Sequence, residues 1–177
     1  RARALKREAA LVRQQGEKQD LDFFGTGGGW TVLAALLVGV ALFFPLVGSG
    51  ALSGGGLLPL DSSVGQLWAG LGYGWRDVGL GFTGAADPFS AVLAVLGTIT
   101  FWQPSLSLVL LWVLALPLAA LGAWLAAARL TTRATLRAFG ALAYALAPTL
   151  LVALQGGRPS AVLAHILLPW LFFAGLA

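Results

Sequence analysis

Long uncharged runs alternate along the chain with polar or glycine-rich stretches. From Trp30 to Val47 the run WTVLAALLVGVALFFPLV carries no charge. In an α-helix such a run rises about 27 Å, close to the roughly 30 Å of a bilayer's hydrocarbon core. Trp30 stands where an interfacial aromatic belongs. A second run, Ser105–Ala128, reads SLSLVLLWVLALPLAALGAWLAAA. Its Pro117 lacks a backbone donor and predicts a kink. Ala138–Leu154 follows, with Pro148 as a second kink, and after the turn QGGRP a last run covers Ser160–Ala177. The pattern predicts an all-α, polytopic helical membrane protein with about four transmembrane helices, near 30–47, 105–128, 138–154 and 160–177.

The intervening stretches differ from one another. Residues 1–20 are polar and helix-prone, with a weak apolar stripe at Leu5, Ala9 and Val12 that Gly16 interrupts. They read as a solvated linker or as a basic helix lying on anionic headgroups. Gly25 and Gly27–Gly29 then break the helix, so residues 1–29 form a juxtamembrane linker ahead of a membrane domain over 30–177. Residues 48–86 are dense in glycine and hold no run long enough to span, yet Trp68, Tyr73, Trp75 and Phe82 argue for an ordered loop lying along the membrane. Within it Ser62–Gly70 predicts a short helix with Ser62 or Ser63 as N-cap. Asp87-Pro88 is a helix start, Asp as cap and Pro in the first turn, for a helix over 88–101. That helix is short for a span and reads as interfacial or re-entrant.

Composition sharpens this picture. Of 177 residues, 58% are hydrophobic and 10% charged, where a soluble domain carries about 25% charged. So few charges exclude an ordinary water-soluble enzyme. The net charge of +4 does not point to nucleic acid: six of the eleven Lys/Arg precede residue 19, and Arg129, Arg133 and Arg137 form a second cluster. The 48–87 loop holds only Arg76 and the 155–159 turn only Arg158. If helix 88–101 does not cross, both clusters fall on one side, and the positive-inside rule makes that side cytoplasmic. The expectation is a multi-pass plasma-membrane protein, N-terminus cytoplasmic, with loop 48–104 and turn 155–159 outside. A signal peptide cut at GSGA fits less well, because a long polar stretch precedes the first run and further spans follow. Beginning at Arg1 and ending inside an apolar run, the chain reads as a fragment of a longer protein, truncated at its C-terminal end.

The chemistry-bearing residues are few. Cysteine is absent and His165 is the single histidine, so no thiolate or histidine metal cluster is expected. Gly25-Thr-Gly27-Gly-Gly29 lacks the Lys-Ser/Thr of a phosphate loop. Asp20-Leu-Asp22 matches a metal-holding DxD pair but sits before a span, without the strand–helix context of a nucleotide-sugar site. What remains gathers on the expected outer face: Asp61, Arg76-Asp77, Asp87, Arg158 and His165. An interfacial carboxylate (Asp61, Asp77 or Asp87) could serve as general base toward a sugar hydroxyl. Arg158, Arg76 and His165 are the candidates for contacting a lipid phosphate, guanidinium being matched to phosphate oxygens. Each also has a structural alternative: Asp61-Ser62-Ser63 and Asp87 as helix caps, Arg76-Asp77 as a turn or ion pair, Arg158 as a headgroup anchor. His165, costly in hydrocarbon, should face protein or water.

The stretches GSGALSGGGLLPL and GYGWRDVGLGFTGAADPFSAVLAVLGTITFW, with the segment from LALPLAALGAW to GGRPSAVLAHILLPW, resemble the membrane region of large actinobacterial family 2 glycosyltransferases. The blocks GYGWRD, ADPF and GRPSAVLAH are its most specific parts, and the resemblance covers nearly all of residues 30–177. It implies an upstream cytoplasmic nucleotide-sugar domain ending before Arg1; that domain would bring any divalent metal, and none of its site is present here. The order span, long loop with two interfacial helices, further spans is also similar to GT-C membrane glycosyltransferases. That similarity implies a polyprenyl-phosphate sugar donor, an acidic loop residue (Asp61 first, Asp77 or Asp87 as alternatives) and Arg158 facing the donor phosphate. The partners implied are the bilayer and a lipid-linked sugar or glycan acceptor. A non-enzymatic transporter or scaffold is the alternative, suited by proline-kinked spans and an intramembrane His165.

Overall fold

A computed structural model describes residues 23–46, 48–57, 60, 62–71 and 87–175, and the backbone of 75–77 and 83–85. The elements run α1 (Gly28–Leu42), a 3-10 turn (Phe44–Leu46), α2 (Val64–Ala69), β1 (Trp75–Asp77), β2 (Thr83–Ala85), α3 (Ser90–Ile99), α4 (Leu106–Leu130), α5 (Ala134–Ala145), α6 (Pro148–Gln155) and α7 (Pro159–Gly175). Among the described residues the architecture is helical except for one ribbon that the hydropathy pattern does not predict. There β1 pairs antiparallel with β2, Trp75 opposite Ala85, Arg76 opposite Gly84 and Asp77 opposite Thr83.

The central element is α4, on which α1, α5 and α7 all pack. Leu108, Trp112, Ala115, Leu116, Ala119 and Ala120 are buried on it, the alanines letting neighbouring backbones come close. Leu110, Leu114 and Leu118, spaced four apart on one face, are exposed. Exposed leucines also stand on α1 (Leu33, Leu37) and α7 (Leu167, Leu168, Leu171). Among the described residues two stretches are long and apolar enough to cross a membrane: α4, with 25 residues, and Ala134–Gln155, with 22.

The expected first run is helical only over Gly28–Leu42. Pro45, which cannot donate and disfavours helix at the residue before it, leaves Phe44–Leu46 as a 3-10 turn. The arginine cluster is not a loop. α4 continues through Arg129 and α5 starts at Ala134, so only Thr131–Arg133 connects them and Arg137 lies within helix.

Each interior proline frees a carbonyl one turn upstream, and each freed carbonyl meets another helix. α4 remains one helix through Pro117, and the Val113 carbonyl it frees faces Gly39 of α1. A Cβ on Gly39 would stand 2.9 Å from that oxygen. Pro148 separates α5 from α6 and cannot donate to the Tyr144 carbonyl, which accepts from Ala147 N at 3.2 Å and lies 3.1 Å from His165 Nε2. A carbonyl only accepts, so Nε2 carries the proton. Pro169 in turn frees the His165 carbonyl, and the Tyr144 hydroxyl donates to it at 2.8 Å. The two rings stack with centroids 4.2 Å apart. The result is a reciprocal clasp between α5 and α7.

Candidate functional site

One end of the bundle, the loop end, is closed by the glycine-rich segment after α1. Gly54 N donates to Leu57 O at 3.1 Å and Gly56 N to Gly156 O at 3.1 Å. A Cβ on Gly55 would strike the Gly156 carbonyl, and one on Gly157 (φ +63°) would strike the Gly54 carbonyl. Only glycines allow the loop and the α6–α7 turn to meet backbone to backbone. Leu52, Leu57, Leu60 and Leu67 join the same buried core as Leu108, Trp112 and Leu154. Trp112 Nε1 donates to the Leu154 carbonyl at 3.1 Å, fixing the turn from below. Gln103 Nε2 donates to Gly50 O at 2.8 Å and Ser105 Oγ to Leu60 O at 3.2 Å. These bonds tie the loop to the corner between α3 and α4.

The candidate residues fall differently on this frame. Arg158 is exposed one residue past the glycine contact, its N–H held by the Ala153 carbonyl at 3.0 Å. The structure therefore brings the Arg158 turn together with loop 54–57. Asp61 lies outside the described residues, between buried Leu60 and exposed Ser62. Arg76 and Asp77 occupy β1, and their side chains lie outside the described set. α3 begins at Ser90 with Phe89 as its N-cap, not at Pro88, and Asp87 binds the turn ahead of it: its Oδ1 accepts from Phe89 N at 2.9 Å and its carbonyl accepts from Ser90 N at 2.8 Å. Ser63 caps α2, accepting from Gln66 N at 3.3 Å. His165 is engaged in the clasp with Tyr144 and belongs to the helix interface, not to the Arg158 turn. Among the described residues no cluster of His, Cys, Asp or Glu could hold a metal.

A cleft of about 220 Å³ lies between α3 and α4, lined by Leu96, Ile99, Thr100, Ser107 and leucines of α4. The Thr100 hydroxyl is buried there without a hydrogen-bond partner among the described residues. It is the only polar side chain of the cleft left unsatisfied, since Ser107 Oγ donates to the Pro104 carbonyl at 2.7 Å. The sequence offered no signal for it: a threonine in an apolar helix end is unremarkable until its neighbours are known.

The opposite, arginine end is built from side-chain stacking. The Arg137 guanidinium lies 5.4 Å from the Trp124 ring centroid, and Arg137 Nε donates to the Thr131 carbonyl at 2.6 Å. Phe23 meets the same indole edge-on with centroids 5.0 Å apart. Arg129 sits over Phe173 at 4.4 Å. Arg137 is only 4% exposed, which charge counting along the chain did not foresee. Among the described residues it has no carboxylate partner. Comparison with protein-family models, curated proteins and solved structures finds no match for this chain.

Proposed function

We propose that the chain is the membrane portion of a cell-envelope glycosyltransferase acting on a lipid-linked glycan. It sits multi-pass in the plasma membrane, N-terminus cytoplasmic and loop end outside. Its part in the reaction is to anchor the enzyme and hold the loop end at headgroup level, where Arg158 would meet the phosphate of a lipid-linked sugar. The observation that carries the membrane half is the outward row Leu110, Leu114 and Leu118 on the central helix. Water disfavours such a face and lipid accepts it. The glycosyltransferase half is supported by the resemblance of the blocks GYGWRD, ADPF and GRPSAVLAH.

Two measurements test it. A cysteine engineered beside residue 77 should react with an impermeant reagent in intact cells; reaction only after lysis overturns the orientation. In the full-length protein, Asp61→Asn, Asp77→Asn and Asp87→Asn should each leave glycan synthesis intact at normal abundance. Loss of synthesis in any one of them moves the chemistry onto the loop end and overturns a purely anchoring role. The transporter alternative requires solute flux in liposomes without sugar transfer. The hydrogen bond of His165 Nε2 to the Tyr144 carbonyl weighs against a proton or ion path through that nitrogen.

A further inference from the structure

α5 and α7 both pack on α4, leaving a groove between them whose floor is alanine. Its volume is about 580 Å³, and its lining includes Ala123 and Ala127 of α4, Gly140 and Tyr144 of α5, and Leu168 and Phe172 of α7. The size is that of an ordinary ligand pocket, roughly 300–1,000 Å³. Small side chains on the floor and Gly140 on the wall create the space, and Tyr144, half of the clasp with His165, bounds it on the side away from the arginines. At its other end lie the cations. Arg129 stands one residue before the lining Leu130, with its guanidinium over Phe173, next to the lining Phe172. Arg133 flanks the start of α5, and Arg137, Gly140 and Tyr144 follow at helical spacing along one stripe of it. Arg129 and Arg133 are exposed; Arg129 rests one face of its guanidinium on Phe173, which leaves its N–H edge for a ligand, whereas Arg137 is buried and committed to Thr131 and Trp124.

An apolar slot bordered by the end of α4 and the start of α5, where the exposed Arg129 and Arg133 stand, has the chemistry of a phospholipid site. We infer that the groove between α5 and α7 binds one acyl chain of an anionic phospholipid, with Arg129 and Arg133 holding its phosphate. Anionic headgroups are attracted to basic residues at a membrane surface. The inference rests on the membrane reading above but not on the glycosyltransferase reading. It assigns the arginine cluster a ligand as well as a topological role.

The test uses the full chain in detergent and native mass spectrometry, with phosphatidylglycerol and phosphatidylcholine of matched acyl chains as probes. Wild type should retain phosphatidylglycerol preferentially. Arg129→Gln with Arg133→Gln should lower that preference by about tenfold, and Arg129→Lys with Arg133→Lys should keep most of it. Ala127→Phe, filling the groove, should reduce retention of both lipids while helical circular dichroism stays unchanged. Equal retention of the two lipids by wild type, or undiminished preference in the double glutamine variant, overturns the site. So does a dimer peak that Ala127→Phe abolishes, which would make a second copy the occupant. Extraction of the chain from membranes by alkaline carbonate would instead bring down the membrane reading, whereas a carbonate-resistant chain without lipid preference loses only this site.

Discussion

The two ends of the bundle are joined by different physics. At the loop end backbone meets backbone: Gly56 N reaches the Gly156 carbonyl at 3.1 Å, and no side chain larger than hydrogen fits at Gly55 or Gly157. At the arginine end charge meets aromatic ring, with Arg137 over Trp124 and Arg129 over Phe173. The first contact is short-range and steric and admits few substitutions. The second is electrostatic and dispersive and tolerates a few tenths of an ångström.

The sharpest way to break this contrast is Gly157→Ala. It adds a Cβ against the Gly54 carbonyl and also strains a positive φ, so it should cost about 2–4 kcal/mol. Thermal unfolding in detergent would read this as a large fall in Tm, and an unchanged Tm would show that the loop end yields after all. Arg137→Ala should cost less, about 1–3 kcal/mol, through the lost ring contact and the Thr131 carbonyl left unpaired. Arg137→Lys should recover only part, because an ammonium cannot stack as the planar guanidinium does. A lysine variant as stable as wild type would reduce the contact to simple charge. Smallest is Tyr144→Phe, which removes one interhelical bond and keeps the ring stack. About 0.6–1.5 kcal/mol is expected, and a far larger loss would move the weight of the bundle from its ends to the clasp.

Much of the helical plan was legible along the chain. The apolar run around α4 predicts a long helix, and of the two caps the sequence offers for α2, Ser62 or Ser63, the structure uses Ser63. These are local matters of hydropathy, period and the first turn's hydrogen bonds. Pro117 and Pro148 were read as kinks, but the partners of the carbonyls they free were not visible. Gly39 and His165 lie far off in sequence, and nothing in their own neighbourhoods names the atom they will meet. The 48–86 stretch reads along the chain as a loop lying along a membrane, whereas its Leu52, Leu57, Leu60 and Leu67 pack into the bundle's core. The candidate acids shared that loop's expectation of a common site, yet Asp87 spends its carboxylate on the turn ahead of α3.

The apolar character of the helices and the bonds at their starts were therefore settled by residues acting on their immediate neighbours, where the sequence alone suffices. Which glycines touch, which arginine is buried and where a groove opens depend on how helices remote in the chain approach one another. Packing distances of that kind are set by the sum of all facing side chains, so only the tertiary structure decides them.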